Sequence, residues 1–506
     1  VGAAAGTDRG ARLIALALAL ALHPSPVSGP VLVVPPEGPG GSAPGWIGAA
    51  VAVTLPRALQ RAGVPVVPDL ERRRAQEALG APAAIVTRAT SIRTAESLGA
   101  SRLVVGSWDQ KDGSVTLSLR LVDLEQGALS APMTGSAPLA SLGGLVHTLA
   151  WDVALAGAPP PPEGAREALQ AGAGVPFEAL RALGEGMAAR DAASQAAGAR
   201  RALAVYPGYQ EAALLLGQLL VEAGDFASAR DAIGKIGSDS PFARDARFLD
   251  GVALIGLGRF READVLYAQL AAEQGTAAVL ANRAIARLRA GGAAGASTLL
   301  RQALEAEPAS LDLPFDLGWA LLVEGEPAAA AFWLKGAVRR DPGDAQGRLL
   351  LSWALQSAQR GAEAEEQWRA AVALTPTLEG LRTPDLSRRL ERVLPSEHGL
   401  LLDPDRAGDA DEARAHAERG EARLAAGDGA TALSELTRAA LLDPYSAVVH
   451  RLLARAHTAQ GEIGPAIDEL RAALWCREDP EVRRELAERL TAAGRVDEAR
   501  RLRPSP

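Results

Sequence analysis

Gly38, Gly40 and Ala43 are the residues of this 506-residue chain whose spacing comes nearest to known chemistry. They satisfy G-x-G-x-x-A between a short β-branched run, Val31 to Pro35, and an apolar helical stretch, Ile47 to Ala62. Asp69 closes a second such run, Val64 to Val67. In a dinucleotide site the glycines bring backbone amides to a pyrophosphate and the acid meets a ribose hydroxyl. Pro39 and Pro44 oppose that use, because each removes an amide donor from the loop, so a plain Gly/Pro turn is the expectation. The six histidines form no His-Glu-x-x-His pair, and no G-x-S-x-G elbow occurs. One cysteine, Cys476, excludes an internal disulfide and a cysteine-based metal site. The sequence assigns no catalytic residue, cofactor or metal. A formal charge of −8 gives no electrostatic case for nucleic acid.

The elements that carry the remaining residues repeat. From Gln210 onward, registers beginning at Gln210, Arg244, Ala277, Leu311, Ala345, Ala413, Ala447 and Pro480 recur every 33 or 34 residues, with one break. Gly318, Gly325, Ala330, Leu334, Ala337 and Pro342 give the fullest copy, and Gly420, Gly427, Ala432, Leu436, Ala439 and Pro444 reproduce its offsets. Small residues at positions 8 and 20 let two antiparallel helices approach closely. Gly224, Gly258, Gly291, Gly325, Gly427, Gly461 and Gly494, at position 15, suit a left-handed helix terminus. Proline near position 32 ends the second helix. Such self-similarity specifies a stacked helical solenoid. These offsets are similar to those of the tetratricopeptide repeat (TPR). A weaker copy, Phe177 to Pro207, places Ala196 and Ala202 on the pattern if its turn differs in length.

The resemblance implies a groove lined by positions 2, 5, 9 and 12 of each first helix, and hence protein or peptide partners. In the central repeats these are Phe248, Phe315, Trp319, Leu322, Leu349 and Trp353, an aromatic stripe suited to anchoring a peptide. Further on they turn charged, with Arg451, Arg455 and Arg484. His416, His450 and His457 fall where this family packs side chains between helices. The competing arrangement has the groove filled from within, by the stack itself, by the N-terminal domain or by the irregular segment 377–412. That segment interrupts the array and reads as one helix, Asp385 to Val393, between Pro384 and Pro395, followed by a polar run, Asp403 to Asp411.

Ahead of the repeats, Arg9 and Arg12 precede the Leu/Ala run Leu13 to Leu22 and a small-residue stretch, the order of a secretory signal. An uncleaved anchor and a chance Ala/Leu helix are the alternatives. Beyond it, no stretch reads as apolar enough to span a membrane. Strand and helix patterns then alternate: Arg102 to Ser107 and Ser114 to Val122 flank the turn pair Asp112-Gly113, Ala128 to Thr134 adds a third strand, and Pro138 to Leu155 closes with an apolar helix. The blocks Leu32 to Pro36, Leu59-Gln60-Arg61-Ala62 before Val64 to Val67, and Ser97-Leu98-Gly99-Ala100 through Leu103 to Ser107 and Leu119 to Asp123 resemble the TolB amino-terminal-like domain. That resemblance implies an envelope protein.

The sequence therefore reads as a signal peptide (1–29), a TolB-N-like α/β domain (30–156), a Pro-rich linker (157–166), one TPR block (167–376), an irregular segment (377–412) and a second TPR block (413–506). The fold class is an α/β N-terminal domain followed by an all-α superhelical solenoid. The expected function is a non-catalytic scaffold or adaptor, exported to the periplasm or envelope, that binds protein or peptide partners. The alternative is a nucleotide- or glycan-binding enzyme or sensor with the repeats as a recruitment module. Without a signal the chain would be cytoplasmic.

Overall fold

The computed structural model describes residues 29–79, 88–157, 160–172, 174–189, 191–292, 295–397, 402 and 406–502. The signal reading and His398 lie outside these residues, as does part of the run from Asp403 to Asp411. Two compact units form: one takes the chain up to Asp69 together with Gly99–Phe177, and the other takes Leu70–Leu98 together with Glu178–Pro506.

In the first unit, strands β1 (Val31–Val33), β2 (Arg102–Lys111), β3 (Ser114–Asp123), β4 (Ala128–Leu129) and β5 (Met133–Pro138) make one mixed sheet. β1 runs parallel to β2 with Val31 opposite Arg102, and β2 and β3 form an antiparallel hairpin. Its turn is Asp112-Gly113, both at positive φ (51° and 75°), which matches the right-handed twist of the flanking strands. β4 and β5 both pair with β3, so the third expected strand is split in two. The expected strand at Val64 to Val67 reduces to a bridge between Val31 and Val66, because Pro65 and Pro68 bring no amides to a ladder.

Helix α1 (Gly45–Arg61) continues through Pro56, a residue type that ordinarily interrupts a helix. Its residues Ile47 to Leu59 are buried, and that burial outweighs one lost helical hydrogen bond. The apolar helix that closes the unit is longer-reaching than the sequence reading allowed, since Leu139–Ala156 is apolar and long enough to cross a membrane. In the fold its regular part packs against α1, β3 and β5 and buries Leu142, Leu145, Val146, Leu149 and Val153, so it serves as a core helix of the unit.

The second unit opens with α2 (Asp69–Ala78) and α3 (Arg88–Ser97); α4 (Leu142–Ala156) and α5 (Ala165–Ala171) belong to the first. Arg73 donates to the Met187 carbonyl at 3.0 Å and Arg74 pairs with Glu222 at 2.6 Å, which ties α2 to the helices that follow. These are six antiparallel pairs: α6 (Phe177–Met187) with α7 (Ala192–Val205), α8 (Gln210–Glu222) with α9 (Phe226–Ile233), α10 (Ala243–Gly256) with α11 (Phe260–Glu273), α12 (Ala277–Arg289) with α13 (Ala296–Ala306), α14 (Leu313–Val323) with α15 (Pro327–Arg340), and α16 (Ala345–Ser357) with α17 (Gly361–Leu374). Three pairs make the second block: α18 (Arg406–Ala425) with α19 (Gly429–Leu442), α20 (Ala447–Ala459) with α21 (Ile463–Cys476), and α22 (Pro480–Ala492) with α23 (Val496–Arg501).

All seven position-15 glycines have φ between 75° and 84°, the left-handed terminus that lets each first helix turn into its partner. In the fifth register the same place is held by Gln359, at φ 62°. The close approach at position 8 has a different partner from the one the spacing suggested. A Cβ on Gly318 would lie 2.4 Å from Leu334, and on Gly420 2.6 Å from Leu436, so the residue at position 24 caps the glycine. In the first pair the contact is made by Gly186 against Gly198, and Ala196 and Ala202 are buried beside it.

Segment 377–412 departs from its expected conformation. A 3-10 turn (Pro376–Leu381) follows α17, and residues 382–397 are irregular, with a turn closed by the Arg388 amide on the Asp385 carbonyl, an open stretch from Arg389 to Leu394, and no helix at Asp385 to Val393. The amides of Arg392 and Leu394 donate to Asp316 and Asn282, 76 and 112 residues away, and are therefore not available to a local helix.

Candidate functional site

The non-helical run from Leu381 to Glu397, the strap, lies along the first helices of four successive pairs, with its open stretch at Arg389 to Leu394. Trp353, on α16, donates its indole N–H to the Leu381 carbonyl at 2.8 Å. Arg392 sits among three aspartates: its main-chain N–H donates to Asp316 at 2.8 Å, and its guanidinium pairs with Asp312 at 3.2 Å and with Asp344. The same guanidinium stacks 3.9 Å above the Phe315 ring. Two residues on, Asn282 of α12 accepts the Leu394 N–H at 2.9 Å and returns a bond to the Leu394 carbonyl at 2.8 Å. Glu397 takes two bonds from Arg244, at 2.6 and 2.8 Å, and one from Thr276 at 2.9 Å. On the other side Glu391 pairs with Arg289. Increasing residue number in the strap runs toward earlier repeats.

The groove side is built for these bonds. Asn282 is fully buried and spends its second N–H on the Tyr267 hydroxyl, which in turn donates to the Phe248 carbonyl at 3.0 Å. That relay holds the amide in one orientation and satisfies it. Thr276 and Asp344 are the N-cap residues of α12 and α16, so helix starts and strap contacts share the same side chains. Burial pushes the Asp316 carboxyl well above the usual carboxylate range, against the opposing pull of the Arg392 amide and charge. Its Oδ2 has no hydrogen-bond partner among the described residues.

The residues that the spacing assigned to the groove fall in two groups. Phe248, Phe315, Trp319, Leu322, Leu349 and Trp353 are all buried, with Trp319 and Trp353 packed ring to ring at 6.5 Å. Arg451, Arg455 and Arg484 lie in the second block, where Arg451 is bonded to Glu485 and Glu481 and is held above the usual arginine range by them. Arg455 and Arg484 have exposed side chains. The polar clamp of Asn282, Asp312, Asp316 and Asp344 was missed. A polar residue at position 6, within an otherwise apolar first helix, was the signal available in the sequence for Asn282 and Asp316.

His416 and His450, both at position 4, each bond a glutamate 19 residues on, Glu435 and Glu469, and His457 bonds Glu462. Among the described residues no group of His, Cys, Asp or Glu is arranged to hold a metal ion. The Gly38 loop closes on itself through a bond from the Gly38 amide to Ser42, and the Trp108 indole donates to the Pro44 carbonyl at 2.8 Å, beside the first turn of α1. A recess of about 230 Å³ in the same unit is lined by Val31, Arg102 and Pro160 to Pro162 and by none of the loop residues.

Residues 287–354 match the tetratricopeptide repeat family. The chain carries tetratricopeptide repeats. Repeats of this kind provide a protein–protein interaction scaffold. No curated protein sequence matches the chain. Among solved structures, similarity is found to YrrB, described as a TPR protein with an unusual peptide-binding site, at 16% identity and a TM-score of 0.30 over 37% of this chain and 96% of that one. MamA from AMB-1 is similar at 21% identity and a TM-score of 0.29, over 32% and 96%. Human IFIT1 is similar at 14% identity and a TM-score of 0.32, over 59% and 71%.

Proposed function

We propose that this TPR chain is a non-catalytic, exported scaffold that holds an extended segment of a protein partner along the first helices of its first block. The observation that carries the reading is the paired bond between Asn282 and the main chain of Leu394. A side-chain amide that takes both the N–H and the C=O of one residue recognises extended backbone whatever the side chain, as a neighbouring strand does. The aromatic floor of Phe315, Trp319 and Trp353 supplies apolar contact beneath it. The resemblance of the first unit to TolB amino-terminal-like domains and the charged, apolar, small order near the N-terminus support an envelope location.

Two measurements test this. A display library of random peptides is panned against the full chain, and crosslinked hits are mapped; they are expected on α10, α12, α14 and α16. Peptides that crosslink only elsewhere would remove the groove from the reading. Fractionation of the native host with N-terminal sequencing should find the protein outside the cytoplasm, shortened by about 20 to 30 residues if the signal is processed. Intact cytosolic protein would remove the envelope assignment.

A further inference from the structure

The strap has the contacts of a ligand and not of a core. Among its residues Leu394, Ser396 and Glu397 are buried, while Arg382, Thr383 and Leu386 to Arg389 are exposed. Its attachment is carried by discrete polar bonds at five points, Leu381, Glu391, Arg392, Leu394 and Glu397, and by the buried Leu394 side chain. Pro376 and Gly380 precede it and Gly399 follows it in sequence, and the helices on either side, α17 and α18, complete their own pairs without it.

The groove meanwhile loses ionic partners if the strap leaves. Asp312 and Asp344 both pair with the Arg392 guanidinium while Asp316 accepts its main-chain N–H, and two forked N–H groups facing separate carboxylates suit a guanidinium better than an ammonium. Arg289 on one side and Arg244 on the other each face a glutamate of the strap. Buried ion pairs of this kind are seldom better for stability than apolar filling, but they fix register, and loss of one partner leaves the others unpaired. A replacement occupant must therefore present the same charges in the same order.

Resting on the groove reading above, we propose that the strap is a built-in competitor, and that the groove takes in its place a partner segment patterned acid–Arg–x–aliphatic–x–x–acid, as Glu391, Arg392, Leu394 and Glu397 are patterned here. The partner is an extended polypeptide of mixed charge. It binds antiparallel to the order of the repeats, with its aliphatic residue beside Asn282 and its arginine between Asp312 and Asp344.

The test titrates a fluorescent peptide copying Ser387 to Glu397 into the full chain in three forms: the parent, Arg392→Glu, and Arg392→Glu combined with Asn282→Ala. Apparent affinity scales with the fraction of groove left empty, so the loosened strap should tighten binding about tenfold or more. The double variant should lose it, as should a peptide with Glu in place of its arginine. In the parent, excess peptide should speed hydrogen exchange at the Arg392 and Leu394 amides, a readout that needs no variant to fold. Equal affinity for the parent and the loosened chain, with no change in exchange, would make the strap a fixed part of the fold and overturn the proposal. Library peptides that crosslink to the groove of the loosened chain without the charge pattern would overturn the pattern and leave the groove reading standing. Failure of both peptide and library would remove both. Dimerisation of the loosened chain in light scattering would assign the groove to the strap of a second copy, and also overturn the proposal.

Discussion

Gln359 shows how much one residue's backbone decides in this array. It holds the place of a position-15 glycine at φ 62°, exposed to solvent, where a Cβ is unfavourable by about 1 kcal/mol. Gln359→Gly is therefore expected to raise the urea midpoint, by up to about 1 kcal/mol of stability. Gly325→Ala should lower it by a similar amount, since open space around Gly325 leaves conformation as the cause. Asp316 makes a second residue-scale case. Its folded pKa is raised by burial, so the favourable contribution of its protonated form is complete below an unfolded value near ~4 and is lost as pH rises through the folded value. The charges facing it are Arg392, Asp312 and Glu391. Asp316→Asn keeps the acceptor for the Arg392 amide and cannot ionise. Its stability relative to the parent should improve by about 1.4 kcal/mol per pH unit above ~4 until the folded value is reached. Flat difference curves in urea unfolding across pH would show that the carboxyl is not held protonated.

Helices and turns were legible where short-range sequence decides them, and illegible where distant residues do. The glycine at position 15 and the proline near position 32 act on their own helix, so pair boundaries could be read directly. The strap could not. Asp385 to Val393 has the composition of a helix, yet the Arg392 amide and that of the adjoining Leu394 find acceptors on other elements while the Ser387 and Arg388 amides close a turn on Asp385, and tertiary context overrides propensity. For the same reason the aromatic groove stripe was readable from the register, whereas the clamp of Asn282 and the three aspartates becomes visible only once its occupant is in place. The joint between blocks was also hidden. Tyr445 stacks on Trp333 at 4.3 Å, donates its hydroxyl to the Trp333 carbonyl, and sits where a Cβ on Gly336 would be 2.1 Å from its oxygen. Phe332 packs edge-on against Tyr445 and His450 beside it. Gly336→Ala should therefore displace Tyr445 and cost about 1 to 3 kcal/mol by overpacking. Limited proteolysis should then cut between the blocks, near α18, sooner than in the parent, and an unchanged pattern would show that the ring can shift without freeing the joint.

At the scale of the repeat array, stability in a solenoid is a sum of single-repeat and nearest-neighbour terms, and folding free energy is not shared beyond adjacent pairs. The strap alters that rule, because its bonds join the pair starting at Ala243 to the pair ending at Leu374 through one continuous segment. The helices from α10 to α17 should consequently open together, while α18 to α23 keep the graded behaviour of an ordinary array. Arg392→Ala removes the cation from two aspartates in a largely buried setting and leaves the main-chain bond to Asp316, a loss of about 3 kcal/mol. In hydrogen exchange followed by mass spectrometry, the parent should show similar protection across α10, α12, α14 and α16. The variant should show protection that differs from pair to pair, with the second block unchanged. Uniform loss across the first block would mean the strap adds stability without setting cooperativity. No change in any pair would mean that neighbouring helices alone hold the block, and that the strap rides on a groove already formed, free to be exchanged at little cost to the repeats beneath it.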